Sequence, residues 1–263
     1  MDSSALGPLR PGDRIALLAT AGPSPEGQID RAERLLASWK LKPVTYPSAR
    51  STDSRASYLA GQDSLRGNDF SDAWRDESIA GIFCVRGGYG SVRMLDLLDV
   101  DRMRSATAKP VYGSSDVTAL HEWLRERLAV ASWFTPMVAT DSLLDDAAAT
   151  EQLRVAVFDD PVGRRWSAET AEVLLPGTAS GKLIGGNLSL LAMTLGAKDR
   201  PALDNAGTIA LLEDVTEDTY RIDGYLQSLL RAGWFDGVAG IALGSWLDCS
   251  THEQIRALCL EMF

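Results

Sequence analysis

Short β-rich runs alternate with helical patterns along most of this chain of 263 residues. A chain written that way points to a parallel sheet, because each step between parallel strands needs a crossover long enough to hold a helix. Residues 14–19 read as the first buried strand, ending in the loop Thr20-Ala21-Gly22-Pro23-Ser24-Pro25. Ile29, Ala32, Leu35, Leu36 and Trp39 recur at helical spacing, and residues 44–46 supply a second strand. A helix predicted over 64–79 feeds a strand over 81–85. After the loop Arg86-Gly87-Gly88-Tyr89-Gly90 a helix is expected to run to Leu98. Strands at Val111 and over 130–134, with a helix from Asp116 between them, complete an α/β unit over 1–145. Residues 146–178 are polar and alanine-rich and read as a linker. A smaller unit over 179–263 follows, with strands at 208–212 and 238–246 and helices over 220–232 and 252–263.

Composition narrows the partners. A formal net charge of −10 repels the polyanionic surfaces of nucleic acids and acidic membranes. No apolar run approaches the length of a membrane span, and residues 1–10 form a short polar leader rather than a basic region followed by an apolar one. The reading is a cytoplasmic protein with a small-molecule substrate. Cys84, Cys249 and Cys259 are odd in number and lack C-x-x-C spacing, so neither a disulfide framework nor a zinc site is indicated. Cys84 lies within an apolar strand and reads as core. No cofactor or metal is expected, because no His/Asp/Glu cluster has ligand spacing.

The segment Pro110-Val111-Tyr112-Gly113-Ser114-Ser115-Asp116-Val117 runs from a strand straight into a helix. A side chain at such a turn projects beyond the sheet, and the first free N–H groups of the helix face any oxyanion formed beside it. Ser115 is the candidate nucleophile. The turn is not the G-x-S-x-G elbow, since Asp116 and Val117 follow the serine. Helix capping by Ser114 and Ser115 is an equally ready explanation. Two more loops could work with it. The glycines of 86–90 let backbone N–H groups approach a ligand, as an oxyanion hole, a phosphate-binding turn or a plain tight connection. Glu213 closes the apolar run 209–212 at a strand tip, where it can orient a base or simply meet solvent.

Taken in order, Tyr58-Leu59-Ala60-Gly61, Val85-Arg86-Gly87-Gly88-Tyr89-Gly90, Gly113-Ser114-Ser115-Asp116-Val117-Thr118, Leu183-Ile184-Gly185-Gly186-Asn187-Leu188 and Leu212-Glu213-Asp214-Val215 with Tyr220-Arg221-Ile222-Asp223 resemble the LD-carboxypeptidase family of serine peptidases. The resemblance covers nearly the whole chain from Gly12 onward. It implies an N-terminal parallel-sheet domain similar to class I glutamine amidotransferases and a smaller C-terminal β-rich α/β domain. It also implies a homodimer, a Ser–Glu–His machinery in which Ser115 and Glu213 fill the first two places, and oxyanion donors at Gly88 and Asp116. The implied reaction is hydrolysis of the bond before a C-terminal D-alanine in cytoplasmic murein tetrapeptides. A related branch of the family acts on peptidyl-nucleotide antibiotics. Arg86 could bind a terminal carboxylate or brace its own loop, and stays unassigned.

The family histidine has no match here. It lies beyond the segment resembling Gly244-Ser245-Trp246-Leu247-Asp248-Cys249, in a loop this sequence does not reach, so the C-terminal domain reads as truncated. Of the two histidines present, His121 follows Ser115 by six positions, which on one helix places it roughly 120° around and about 9 Å along the axis. That position cannot take the serine proton directly. His252 lies just past the last strand and reads as a surface or helix-start residue. A catalytically inactive muropeptide-binding protein therefore remains an alternative, as does a glutaminase-like enzyme, which would need a cysteine where Ser115 stands.

Overall fold

The computed structural model describes residues 7–165, 171–197, 200–202 and 204–263. The chain divides into two compact units, Met1–Val162 and Gly163–Phe263. In the first, β1 (Arg14–Leu18), β2 (Lys42–Thr45), β3 (Ile79–Cys84), β4 (Val111–Gly113) and β5 (Trp133–Phe134) form one parallel sheet in the order β2-β1-β3-β4-β5. The helices of this unit are α1 (Gln28–Ser38), α2 (Asp63–Arg75), α3 (Ser91–Met94), α4 (Val100–Arg104), α5 (Thr118–Leu128), α6 (Asp141–Leu144) and α7 (Ala147–Phe158). The order reverses between β1 and β3, the switch point beside whose carboxyl ends open α/β sheets place ligands.

Burial explains the strand sequences. Ile15, Ala16, Leu17 and Leu18 of β1 and Ile82, Phe83 and Cys84 of β3 are all fully enclosed, as expected of central strands covered on both faces. Phe83 stacks on Tyr112 at 4.4 Å, and Tyr112 on Trp133 at 6.2 Å, carrying apolar packing across three strands. Cys84 is core, as its apolar run suggests; burial pushes its thiol up to about 12.

Several elements differ from their sequence reading. The helix expected over 64–79 ends at Arg75, because Asp76 turns extended and its carboxylate accepts the Ser78 N–H at 2.8 Å, freeing Ile79 to open β3. The helix expected to reach Leu98 breaks after Met94 into a tight turn over Leu95–Leu97, and Asp99 caps α4 by accepting from the Arg102 N–H. The predicted linker begins with α7, whose Leu153 and Val157 are buried in the core of the first unit. Ala147, Ala148, Glu151 and Gln152 on its exposed side mask the stripe that is core. Residues 1–6 of the predicted leader and 166–170 of the linker lie outside the described residues.

The second unit holds β6 (Leu183–Asn187), α8 (Leu188–Thr194), β7 (Ile209–Val215), α9 (Thr219–Arg231), β8 (Gly240–Leu247) and α10 (His252–Met262). Its three strands are parallel in the order β6-β7-β8. Leu188, Leu191, Leu212, Ile222, Leu226, Leu229 and Trp234 make a separate apolar core.

Gly185 shows how tightly β6 meets β7. Its φ is +103°, and a Cβ built there would stand 2.2 Å from the Leu211 carbonyl oxygen. Gly185→Ala is expected to destabilise the protein by more than about 2 kcal/mol, since left-handed backbone and backbone overlap add. Gly224→Ala, in α9 with nothing within 4 Å, should instead stabilise by up to about 1 kcal/mol. Urea midpoints of the two variants would check the opposite signs.

Candidate active site

Ser115 stands where β4 gives way to α5. The connection is a tight 3-10 turn over Ser115–Val117, and α5 begins at Thr118 rather than at Asp116. Neither Ser114 nor Ser115 caps a helix with its side chain. Ser115 has φ +56°, the left-handed region that a non-glycine residue enters only when its surroundings impose it. The residue is thus held in a strained strand-to-helix bend although Val117 stands where the usual elbow motif has its second glycine, Gly113 filling the place of the first.

The loop after β3 packs directly on it. A Cβ on Gly87 would lie 3.0 Å from both Cβ and Oγ of Ser115, tighter than side chains ordinarily pack, so the glycine leaves room for the serine side chain. The Gly87 carbonyl accepts the Gly22 N–H at 3.0 Å. All peptide bonds described are trans, so the Gly88 N–H, in the same peptide plane, points the opposite way from that carbonyl. Gly88 itself takes φ +104°. The loops after β1, β3 and β4 therefore converge around Ser115.

Asp116 is buried. Its carboxylate accepts the Ser91 N–H at 2.7 Å, joining the serine turn to the start of α3, and Ser91 Oγ bonds Thr20 Oγ1 at 2.8 Å. Burial raises the Asp116 carboxyl above its ordinary range, opposed by the Ser91 hydrogen bonds and the charge of Arg66. With its side chain so engaged, Asp116 can offer the site its backbone N–H. Arg86 is half-buried at the edge of the same loop.

His121 is turned to the strand that precedes the serine. His121 is buried, with Nε2 3.0 Å from the Gly113 carbonyl oxygen, and its ring meets Phe134. Burial pushes the imidazole down to about 4, so it is neutral near pH 7 and donates from Nε2 to the strand. His121→Gln is expected to lower the melting temperature by several degrees while leaving turnover per folded molecule within about twofold of the parent, by analogy with loss of a single buried hydrogen bond. His252 is exposed at the first turn of α10, whose cap is Thr251 in a reciprocal pairing with Gln254.

Glu213 lies on β7 in the second unit, half-buried and paired in register with Asn187 of β6. Its Oε1 is shut off from solvent without a hydrogen-bond partner. Burial pushes its carboxyl up to about 7, against a hydrogen bond from Asn187, with the neighbouring charge of Asp214 adding to the rise. Gly244 of β8 makes room for it, because a Cβ there would sit 3.1 Å from the Glu213 Cβ. Behind it, Asn187 Nδ2 donates to Asp214 Oδ1 at 2.8 Å and Asn187 Oδ1 caps α8 by accepting the Leu190 N–H. The sequence reading missed this bracing pair, and it missed Arg66 of the first unit. Arg66 could have been flagged: Phe70, Ala73 and Trp74 follow it at four, seven and eight positions, which puts a lone arginine on the buried stripe of α2.

Among the described residues no His/Cys/Asp/Glu group could hold a metal ion, and no helix is long and apolar enough to cross a membrane.

A serine held in a strained bend at the carboxyl edge of a parallel sheet, beside a glycine loop, is an arrangement suited to a hydrolytic nucleophile. The chain belongs to the LD-carboxypeptidase family: the family's N-terminal domain matches residues 15–135 and its C-terminal domain residues 180–262. A Streptomyces coelicolor protein carrying a provisional carboxypeptidase name is 43% identical over 96% of this chain and 81% of its own length. The murein tetrapeptide carboxypeptidase of Pseudomonas aeruginosa is 30% identical over 93% of this chain and 80% of its own. Among solved structures, an MccF-like protein from Bacillus anthracis shares the fold with a TM-score of 0.80 at 24% identity, covering 97% of this chain and 85% of that one. The microcin C7 self-immunity protein MccF in its wild-type apo state gives 0.79 at 22%, covering 98% and 86%. The fold is thus mixed α/β, with the larger parallel sheet and the smaller one expected from the sequence. The protein is a peptidase hydrolase with a carboxypeptidase role.

Proposed function

We propose that this chain carries the nucleophile of a serine-type LD-carboxypeptidase that removes the terminal D-alanine from murein tetrapeptides during peptidoglycan recycling in the cytoplasm. The observation that carries this reading is Ser115 in left-handed backbone with Gly87 against its side chain. Ser115 Oγ attacks the carbonyl carbon of the L,D-peptide bond and loses its proton to a base. The oxyanion meets the N–H groups of Gly88 and Asp116, and collapse of the tetrahedral species breaks the C–N bond, returning the proton to the departing D-alanine amine. Water then attacks the acyl-serine ester and restores the hydroxyl. Glu213 holds a basic imidazole in the useful tautomer and stabilises its cation; a cation beside it would in turn bring its carboxyl down from about 7. That imidazole is neither His121 nor His252, and the family histidine has no match among these residues. The proposed assembly is a homodimer.

The test is mass-spectrometric loss of D-alanine from a tetrapeptide, run on residues 1–263, on a version extended through the family's histidine loop, and on the extended Ser115→Ala variant. Release by the extended protein alone is expected. Equal release by residues 1–263 would place the base within this sequence, and binding without release by any version would make this a muropeptide-binding protein instead.

A further inference from the structure

Arg66 lies on α2 with its side chain entirely enclosed. Its Nε donates to the Gly61 carbonyl at 3.3 Å, and its Nη1 donates to the carbonyls of Gly90, at 2.7 Å, and Thr20. Nη2 pairs with the Asp63 carboxylate, which also receives Arg93. Three carbonyls from three loops therefore end on one planar cation. Gly90 is shaped to admit it, because a Cβ there would stand 2.8 Å from Nη1.

These loops fix the groups around Ser115. Thr20 and Gly22 belong to the loop after β1, and Gly22 holds the Gly87 carbonyl. Gly90 ends the loop that carries Gly87 and Gly88, and the next residue, Ser91, is bonded to both Asp116 and Thr20. The Gly61 loop is tied to the β1 loop in turn, through the Ala60 N–H on the Ala21 carbonyl at 2.9 Å. The charge of Arg66 also acts on Asp116, the residue after the nucleophile. A left-handed serine keeps that conformation only while its neighbours hold it there.

We propose that Arg66 is a positioning residue for the reaction: its guanidinium clamps the three loops so that the Gly88 and Asp116 N–H groups keep their aim on the oxyanion. Arg66 touches no substrate, and its action passes through the loops alone. The assignment rests on the reading of Ser115 as nucleophile. A fork of five fixed donors suits three carbonyls and a carboxylate; a lysine ammonium keeps the charge but cannot reach the same set.

The experiment measures D-alanine release from the tetrapeptide by the extended protein and its Ser115→Ala, Arg66→Lys, Arg66→Ala and Trp74→Phe variants. Donor misalignment acts in the transition state, so Arg66→Lys should lower kcat by roughly tenfold to a hundredfold with KM within about twofold. Free guanidinium at millimolar concentration should restore part of the turnover of Arg66→Ala. Trp74→Phe removes a buried hydrogen bond from the same helix, that of Nε1 to the Met103 carbonyl, and controls for stability: its melting temperature should fall with kcat per folded molecule unchanged. Parent kcat in Arg66→Lys, or a loss matched by Trp74→Phe at equal stability, overturns the assignment and leaves the nucleophile standing. If Arg66→Ala fails to fold, Arg66→Lys against Trp74→Phe decides alone. Absence of Ser115-dependent turnover in the parent overturns both readings.

Discussion

Ser115→Ala is expected to remove all but a trace of peptidase turnover, a fall of roughly 10⁴-fold or more in kcat, since loss of a serine nucleophile elsewhere costs about 10⁶-fold. Binding should persist, because the loops that shape the site owe nothing to the hydroxyl. Stability separates this position from an ordinary serine. Alanine keeps the cost of φ +56°, whereas Ser115→Gly is free to occupy it and should be more stable than the parent by about 1 kcal/mol while equally inactive. Calorimetry of the two variants beside a D-alanine release assay gives the answer. Turnover surviving in Ser115→Ala would remove the nucleophile from the mechanism.

Glu213→Gln is expected to move activity and stability in opposite directions. Without a carboxylate to orient and balance the imidazolium, kcat should drop by up to roughly 10⁴-fold, the scale seen when a triad acid becomes an amide. In the parent, the ionised form is gained only as pH rises through about 7, so turnover should fall below neutrality if no cation lowers that value first. The stability effect has the opposite sense. The folded-state value stands above the ordinary 4.5, so the folded protein holds its proton more tightly than the unfolded chain does. That preference supports the fold fully below pH 4.5 and is lost as pH rises through about 7. Glutamine removes the penalty of ionising a half-buried group, so the variant should gain on the parent between pH 5 and pH 8, by on the order of 1 kcal/mol after solvent screening. Melting curves across that range would check it; a constant difference between parent and variant would mean Glu213 is solvated and ionised throughout.

Much of this arrangement is written in local sequence. Buried runs at 15–18 and 79–84 declare their strands because both faces need apolar residues, the apolar run 209–212 announces β7, and the glycines of 86–90 announce a loop that must pass close to something. What the glycines admit is not local. Gly87 excludes a side chain because Ser115, almost thirty positions later, fills the space, and the left-handed turn at Ser115 has no glycine to signal it. Arg66 reads as one more charged residue of an amphipathic helix until the carbonyls of Thr20 and Gly90, both far along the chain, are found on it with that of Gly61. The alanine-rich α7 reads as a spacer because two apolar residues, Leu153 and Val157, are a faint stripe, yet both are enclosed. Asp76 ends α2 through a side-chain turn that any Asp-x-Ser sequence could make and few do.

The peptide between Gly87 and Gly88 is fastened at its carbonyl end by Gly22 before any ligand arrives. A peptide unit turns as one plate, so rotating the Gly88 N–H would require breaking that bond and moving the loop after β1 as well. The donor's direction is consequently settled during folding. Empty and occupied forms of the protein should share it, and an incoming peptide meets a finished surface that it has no need to rearrange.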